Sequence, residues 1–79
     1  MSQDHKGTDF AEIERIKSGG GILFDGRVGG SLAVTRALGD HSLKSNGVIA
    51  KPYIQKHLLK TGDKFLIIAC DGVWDVLED

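Results

Sequence analysis

The chain is short, nearly neutral and poor in cysteine, and these properties exclude several classes of protein. Its 79 residues carry a formal net charge of −1 and one cysteine, which favours neither nucleic acid nor a membrane surface as a partner and allows no internal disulfide. No apolar run approaches the ~20 residues of a membrane-spanning helix, and no signal peptide is visible. We therefore expect a cytoplasmic or nuclear protein in which Cys70 is a small buried residue.

The first third of the chain contains signals for one helix and one hairpin. Asp9 is a residue type that caps helices, and Glu12 occupies the reciprocal third position of a capping box. Apolar residues then recur at intervals of three, which predicts a short amphipathic helix with Glu12 and Arg15 facing solvent, ending at glycines 19–21. An Asp-Gly pair at positions 25–26, between two short apolar pieces, predicts a β-hairpin.

The remainder of the chain predicts strands separated by a polar loop. At least the first half of residues 31–38 is typical of a strand, although so short an apolar run is also compatible with a helix. Residues 41–47 are polar and predict an irregular, mobile loop. Pro52 excludes a central strand, so residues 54–59 favour an edge strand. Residues 65–69 form an apolar run typical of a strand buried on both faces.

Asp71 follows this apolar run and is the strongest candidate for a chemical role. A carboxylate held at the end of a buried strand, with Asp75 four residues later, suits a hard cation such as Mg²⁺ or Mn²⁺. The alternative is that Asp71 only opens a turn, because Asp-Gly is a common turn dipeptide. The residues alone leave both interpretations open. The glycine-rich stretch 18–30 lacks the Lys-Ser/Thr pair of a phosphate-binding loop, and the histidines lack metal-ligand spacing.

Two long motifs in the chain are more informative about function than its pattern of apolar residues. Residues 27–40, RVGGSLAVTRALGD, resemble the RVNGxLAVxRxLGD signature of type-2C (PPM-type) metal-dependent serine/threonine phosphatases, with Gly29 in place of the usual asparagine. Residues 65–76, FLIIACDGVWDV, are similar to the LxxACDGxWDV block of the same family. The opening Asp-His-Lys and the helix before the glycines also resemble the family. The resemblance runs from Asp4 to Asp79 in family order and at family spacing.

The resemblance implies an α+β fold class: a partial segment of the α/β/β/α sandwich of PPM-type phosphatases, mostly antiparallel strands with one short helix. Residues 1–79 would form a partial domain with a flap-like loop at 41–51. It also implies a Mn²⁺- or Mg²⁺-dependent enzyme that hydrolyses phosphoserine and phosphothreonine in phosphoprotein substrates by a metal-bridged water. Asp71 matches a catalytic-metal ligand and Asp4 a weaker metal position, while Asp75 would support a ligand without binding metal itself.

Several motifs of the family are absent from this chain, and we therefore expect the isolated chain to be inactive. The DGHGG block, the phosphate-contacting arginine and the final aspartate-asparagine block are absent, so the chain resembles roughly the middle third of a phosphatase domain, cut rather than finished. Arg36 and Asp40 match signature residues that we interpret as structural, holding the base of the flap. The alternative is a non-catalytic truncated module that acts by self-association or partner binding. The poorly covered apolar strand also predicts a homo-oligomer.

Overall fold

The computed structural model describes residues 1–78, and the α+β class predicted from the sequence is confirmed. The described residues form a helix α1, a two-stranded antiparallel sheet, a 3₁₀ helix and a single-turn helix α2. In chain order these elements are α1 (Phe10–Ser18), β1 (Leu23–Phe24), β2 (Arg27–Val28), the 3₁₀ helix (His41–Asn46) and α2 (Asp71–Trp74). Among residues 1–78, no helix has the length and apolar character needed to cross a membrane.

Helix α1 begins as predicted, but the prediction of which residues it buries is wrong. The Asp9 side chain accepts a hydrogen bond from the Glu12 backbone N–H at 3.3 Å, as an N-cap should. Glu12, however, is only 2% exposed, whereas Phe10 is 72% exposed. The inward face is therefore defined by Glu12 and Ile16, one turn apart. A carboxylate can occupy this face because cationic side chains surround it, as described below.

The predicted hairpin is confirmed. Strand β1 pairs with β2 in antiparallel register, with Leu23 opposite Val28 and Phe24 opposite Arg27. The two turn residues have positive φ angles, 53° at Asp25 and 69° at the glycine that follows. This is the backbone twist that a two-residue hairpin loop requires, and Asp-Gly is a sequence that accepts it readily.

The core lies between α1, the hairpin and the 3₁₀ helix. Ile16, Val28 and Val48 are its fully buried apolar residues, with further apolar side chains packed around them. Residues 31–38 lie beside this core, and in this stretch bends alternate with isolated bridges, which join Val28 to Leu32, Lys6 to Val34 and Arg36 to Ile49. Residues 31–38 therefore form neither a strand nor a helix, the two interpretations that the sequence left open.

The expectation of an irregular loop at 41–47 is wrong, because residues His41–Asn46 form a 3₁₀ helix. Asp40 enters this helix with a left-handed φ of 51°, and Gly47 ends it with a φ of 105°. Leu43 packs against the core, and the Lys44 ammonium donates to the Ala37 carbonyl oxygen at 2.6 Å. These two anchors give an otherwise polar segment a defined conformation.

The predicted strands at 54–59 and 65–69 are not formed, and the second is not buried. Neither stretch has regular secondary structure or β-pairing, and Phe65 and Ile68 are 82% and 87% exposed. Cys70, expected to be buried, is also exposed. Within residues 1–78 no second layer covers this part of the chain, so apolar composition alone did not determine burial. We call residues 54–68 the arm.

Gly7 is a close-approach position that we expect to tolerate no side chain. A Cβ at this residue would collide with the backbone carbonyl of Gly26, which cannot rotate away as a side chain could. We expect Gly7→Ala to lower the free energy of unfolding by about 3 kcal/mol, the upper range for overpacking. Gly62→Ala is the matched control, because nothing lies within 4 Å of its Cβ position. Equal urea midpoints for the two variants would contradict this close approach.

Candidate functional site

The three aspartates singled out from the sequence line one cavity. Its volume is about 220 Å³, and its walls contain Asp4, Asp71 and Asp75 together with His5, Lys6, Val34 and Trp74. The residues come from opposite ends of the chain, so only the fold brings them to a common surface. Three carboxylates around a small cavity create a negative potential that attracts a cation.

Asp4 is positioned by the pairing of the N-terminal segment with residues 33–35. The Thr35 N–H donates to the His5 carbonyl at 2.9 Å, and the Gly7 N–H donates to the Ala33 carbonyl at 3.3 Å. The Asp4 carboxylate forms an exposed ion pair with Lys6 at 3.3 Å. An exposed pair of this kind contributes little stability, so the carboxylate can exchange Lys6 for another cation at small cost.

Asp71 and Asp75 are positioned by the single turn of α2. The Asp75 N–H donates to the Asp71 carbonyl oxygen at 2.9 Å, so the two residues lie one turn apart on the same side of the helix. The Trp74 indole N–H donates to the Ala69 carbonyl oxygen at 2.8 Å and connects the turn to the preceding segment. Asp71 therefore does begin a turn and also borders the cavity, and the two sequence interpretations are compatible.

The carboxylates present do not form a complete metal centre. Among residues 1–78, no three His, Cys, Asp or Glu side chains lie close enough together to hold one metal ion. A hard cation needs several oxygen ligands at short, defined distances. The cavity therefore offers a partial set of oxygen donors, and no reaction step through a metal follows from these residues alone.

A second polar centre, which the sequence interpretation missed, is built around the buried Glu12. The Glu12 carboxylate accepts from Arg36 Nε at 2.7 Å and Nη2 at 3.0 Å, a bidentate pair, and from Arg15 Nε at 3.2 Å. The Thr35 hydroxyl donates to Glu12 Oε1 at 2.7 Å. We call these four residues the Glu12 cluster. Both oxygens of the buried carboxylate accept hydrogen bonds, which offsets the cost of burial.

The Glu12 cluster strongly stabilises the ionised carboxylate. The hydrogen bonds from Arg36, assisted by those from Arg15 and Thr35, lower the pKa of Glu12 from 4.5 to about 2, despite burial that opposes ionisation. The same pairing raises the pKa of Arg36. At neutral pH the cluster therefore contains one buried anion held by two cations.

The cluster connects the candidate site to the loop at 41–51. On one side, the Thr35 N–H donates to the carbonyl oxygen of His5, the residue that follows Asp4. The Thr35 hydroxyl donates to the Glu12 carboxylate. On the other side, Arg15 donates to the Gly47 carbonyl at 2.7 Å and Arg36 donates to the Lys51 carbonyl at 3.1 Å. The structural interpretation of Arg36 is thus confirmed.

Asp40 contributes through its backbone. Its carbonyl oxygen accepts from the Leu43 N–H at 3.0 Å, and among the described residues its side chain makes no capping hydrogen bond. The signal that could have identified the cluster is the Glu-x-x-Arg spacing of Glu12 and Arg15 on α1, which places both on one helix face. Nothing local predicts Arg36 as a partner, because it is 24 residues away in sequence.

Comparison with known proteins assigns the chain to a class. Residues 1–79 match the family profile "Protein phosphatase 2C" over their whole length, and the chain belongs to this family. The match agrees with the predicted fold, a partial segment of an α/β/β/α sandwich.

Similar proteins come from fungi, plants and animals. The chain is 44% identical to "Protein phosphatase 2C homolog 1" of Saccharomyces cerevisiae, over 100% of the chain and 28% of that protein. It is 49% identical to "Protein phosphatase 2C homolog 1" of Schizosaccharomyces pombe, over 100% of the chain and 23% of that protein. It is also 49% identical to "Probable protein phosphatase 2C 2" of Oryza sativa subsp. japonica, over 98% of the chain and 22% of that protein. The chain thus spans roughly a quarter of the length of these relatives.

Proposed function

We propose that the chain is a segment of a Mn²⁺- or Mg²⁺-dependent protein phosphatase that hydrolyses phosphoserine and phosphothreonine in phosphoproteins. The supporting observation is the convergence of Asp4, Asp71 and Asp75 on one cavity, in a member of the protein phosphatase 2C family. Asp71 is the main proposed metal ligand and Asp4 a ligand at a weaker position, with Asp75 supporting them. In a complete domain, bound ions would supply an activated water and neutralise charge on the phosphoryl group.

We further propose that the 79 residues do not catalyse this reaction alone. Residues 1–78 do not form a three-ligand metal centre. Their three arginines are all engaged within the chain, so none of them is free to clamp a phosphate. Arg15 and Arg36 bind Glu12, and Arg27 donates to the Ser31 carbonyl at 3.0 Å. Among residues 1–78, neither a three-ligand metal site nor a free arginine is present to position the phosphoryl group and stabilise its charge.

A non-catalytic role is the second candidate, and the exposed arm favours it. An exposed apolar surface of this kind marks a site of association. Under either proposal we assign the chain to the cytoplasm or nucleus, where a lone exposed thiol such as Cys70 stays reduced.

The proposal predicts that Asp71 matters in a complete domain and not in the isolated chain. We expect phosphopeptide hydrolysis in Mn²⁺ to remain at background for both the chain and its Asp71→Ala variant. Transplanted in place of the corresponding segment of the S. cerevisiae relative, the chain should give an active phosphatase. There Asp71→Ala should lower kcat by about 100-fold or more, the scale for losing a group that stabilises developing charge.

Glu14→Ala is the matched control, because Glu14 is an exposed carboxylate on α1 away from the cavity. A chimera that is fully active with Asp71→Ala would refute the metal-ligand role. Turnover of the isolated chain at ~1 s⁻¹ or more, abolished by Asp71→Ala, would instead refute the claim that this segment is inactive alone.

A further inference from the structure

Asp4 lies in residues 4–6, a stretch that belongs to no helix or regular strand. Its side chain is 72% exposed, so packing does not fix the carboxylate. The position of Asp4 therefore depends on how the backbone beside it is held. Two backbone hydrogen bonds connect residues 5–7 to residues 33–35. The shorter runs from the Thr35 N–H to the His5 carbonyl oxygen at 2.9 Å, against 3.3 Å for the bond from the Gly7 N–H.

Thr35 is itself held by charged side chains. It is completely buried, with 0% of its surface exposed. Its hydroxyl donates to Glu12 Oε1 at 2.7 Å, and its carbonyl oxygen accepts from Arg15 Nη2 at 3.3 Å. Hydrogen bonds to charged groups are roughly twice as strong as those between neutral groups. A shift of Thr35 would therefore break charge-assisted hydrogen bonds as well as its bond to His5.

A second series of contacts leads from the same carboxylate to His5. Arg36 binds Glu12 through Nε and Nη2, and its Nη1 donates to the Lys51 carbonyl oxygen at 3.1 Å. Two residues further along the chain, the Tyr53 ring contacts the His5 ring edge to face, with the centroids 6.5 Å apart and the planes at 68°. This is a favourable geometry for an aromatic pair.

His5 is thus supported twice, because Thr35 holds its backbone and Tyr53 contacts its side chain. Both supports begin at the Glu12 carboxylate, so the contacts close into one circuit. We call this the His5 circuit; it comprises His5, Thr35, Glu12, Arg36, Lys51 and Tyr53. The position of the Asp4 backbone is consequently set by a carboxylate on α1.

We propose that Thr35 is a positioning residue of the carboxylate cavity. Its hydroxyl, anchored on Glu12, holds the backbone on which the position of Asp4 depends. Asp71 lies on α2, which has contacts of its own, so the distance between the two carboxylates depends on how firmly the Asp4 backbone is fixed. A shift of about 1 Å in a positioned group is enough to lower an enzyme's rate about 100-fold. The inference rests on the proposed function, since it assigns Asp4 a part in the phosphatase site.

The first test follows the amide protons of the 79-residue chain by hydrogen exchange. Thr35→Val removes the hydroxyl and keeps the outline of the side chain. Exchange at the amides of position 35 and Gly7 should become about tenfold faster, the effect of losing one hydrogen bond to a charged group. The Val28 amide, which donates to the Leu32 carbonyl oxygen at 2.8 Å in the core, should change much less. Unchanged exchange at position 35 and Gly7 would overturn the proposal. Equal acceleration at Val28 would also overturn it, because the hydroxyl would then stabilise the fold as a whole.

Two further variants are controls for this measurement. Thr35→Ser keeps the hydroxyl, so the exchange rates of both amides should return close to those of the parent chain. Thr61→Val makes the same chemical change as Thr35→Val at an exposed residue and should leave these amides unaffected. Equal acceleration in Thr35→Ser and Thr35→Val would assign the effect to the lost methyl packing and overturn the role of the hydroxyl. If circular dichroism shows that Thr35→Val unfolds the isolated chain, the same amides are compared in the chimeric phosphatase.

The second test measures whether this positioning matters for the proposed phosphatase. In the chimera with the S. cerevisiae relative, Thr35→Val should raise the Mn²⁺ concentration needed for half-maximal phosphopeptide hydrolysis about tenfold, the lower range for residues that orient ligands. The rate at saturating Mn²⁺ should stay close to that of the parent chimera, because the carboxylate is displaced and not removed. A lower rate at every Mn²⁺ concentration, with unchanged half-saturation, would indicate general structural damage and overturn the proposal.

A double-mutant cycle in the chimera shows whether Thr35 acts through Asp4. Asp4→Asn should itself raise the Mn²⁺ requirement, and adding Thr35→Val should then have little further effect, since the group that it positions has lost its charge. Effects that multiply would mean that Thr35 acts independently of Asp4 and would overturn the proposal. A chimera that is inactive with the parent segment would instead refute the proposed phosphatase function, while the exchange rates in the isolated chain still decide whether Thr35 fixes the backbone beside Asp4.

Discussion

Glu12→Ala is expected to lower the free energy of unfolding by about 3–5 kcal/mol, the range measured when one partner of a buried ion pair is removed. The substitution leaves Arg36 and Arg15 close together with no anion between them, and the buried Thr35 hydroxyl without its acceptor. A domain of this size has a total stability of about 4–12 kcal/mol. We therefore expect urea unfolding at pH 7, followed by circular dichroism, to show a chain that is mostly or wholly unfolded.

Glu14→Ala is the control for this prediction, because it makes the same chemical change in the same helix. Glu14 is exposed, so its removal should alter the free energy of unfolding by no more than about 0.5 kcal/mol. Helix propensity changes equally in both variants and cancels in the comparison. If the two substitutions have equal effects, the Glu12 cluster does not hold the fold together.

The cluster matters because the apolar core is small. Among residues 1–78 only three apolar side chains are fully buried, which is little for a domain that has no disulfide. The Glu12 carboxylate joins α1 to residues 35–36, and Arg15 and Arg36 extend the cluster to the Gly47 and Lys51 carbonyls of the 41–51 loop. A buried ion pair adds little to the free energy of unfolding compared with an apolar replacement. Removing only one of its partners lowers this free energy strongly, because an unpaired charge remains buried. The cluster thus specifies how these segments are arranged around the core.

Local signals in the sequence were sufficient where local interactions decide the structure. The α1 cap at Asp9 and the hairpin turn at residues 25–26 were predicted because each depends on side chains within a few residues. Burial depends on partners that are distant in sequence. Glu12 looked like a solvent-facing charge because its main partner, Arg36, belongs to another segment, and residues 65–69 looked like a core strand although nothing described covers them.

In the candidate site, too, local sequence predicted single residues but not their distant partners. Asp71 after an apolar run was visible as a chemical candidate from the residues alone, but no periodicity connects it to Asp4, 67 positions earlier in the chain. Their connection came from the family resemblance, and the structure brings both to one cavity. The metal-ligand roles of Asp4 and Asp71, and the supporting role of Asp75, stay predictions.

Acid should destabilise the chain between about pH 4.5 and pH 2 because of Glu12. Its pKa is lowered from 4.5 to about 2 in the folded protein, so the folded state binds this proton less readily than the unfolded state. The stabilisation is therefore fully present above about pH 4.5, declines as the pH falls, and is lost once Glu12 is protonated in both states. At 1.36 kcal/mol per pKa unit, the full contribution is about 3 kcal/mol.

The measurement is the urea midpoint at several pH values across this range, for the chain and for Glu12→Gln. Glutamine retains the shape of the side chain but does not titrate, so the variant should be weakened at neutral pH and should lose most of the acid dependence. Asp63 also has a lowered pKa, from its hydrogen bond to His57, but it is exposed, so Asp63→Asn should retain the acid dependence. A Glu12→Gln variant as sensitive to acid as the parent chain would assign the acid transition to other carboxylates.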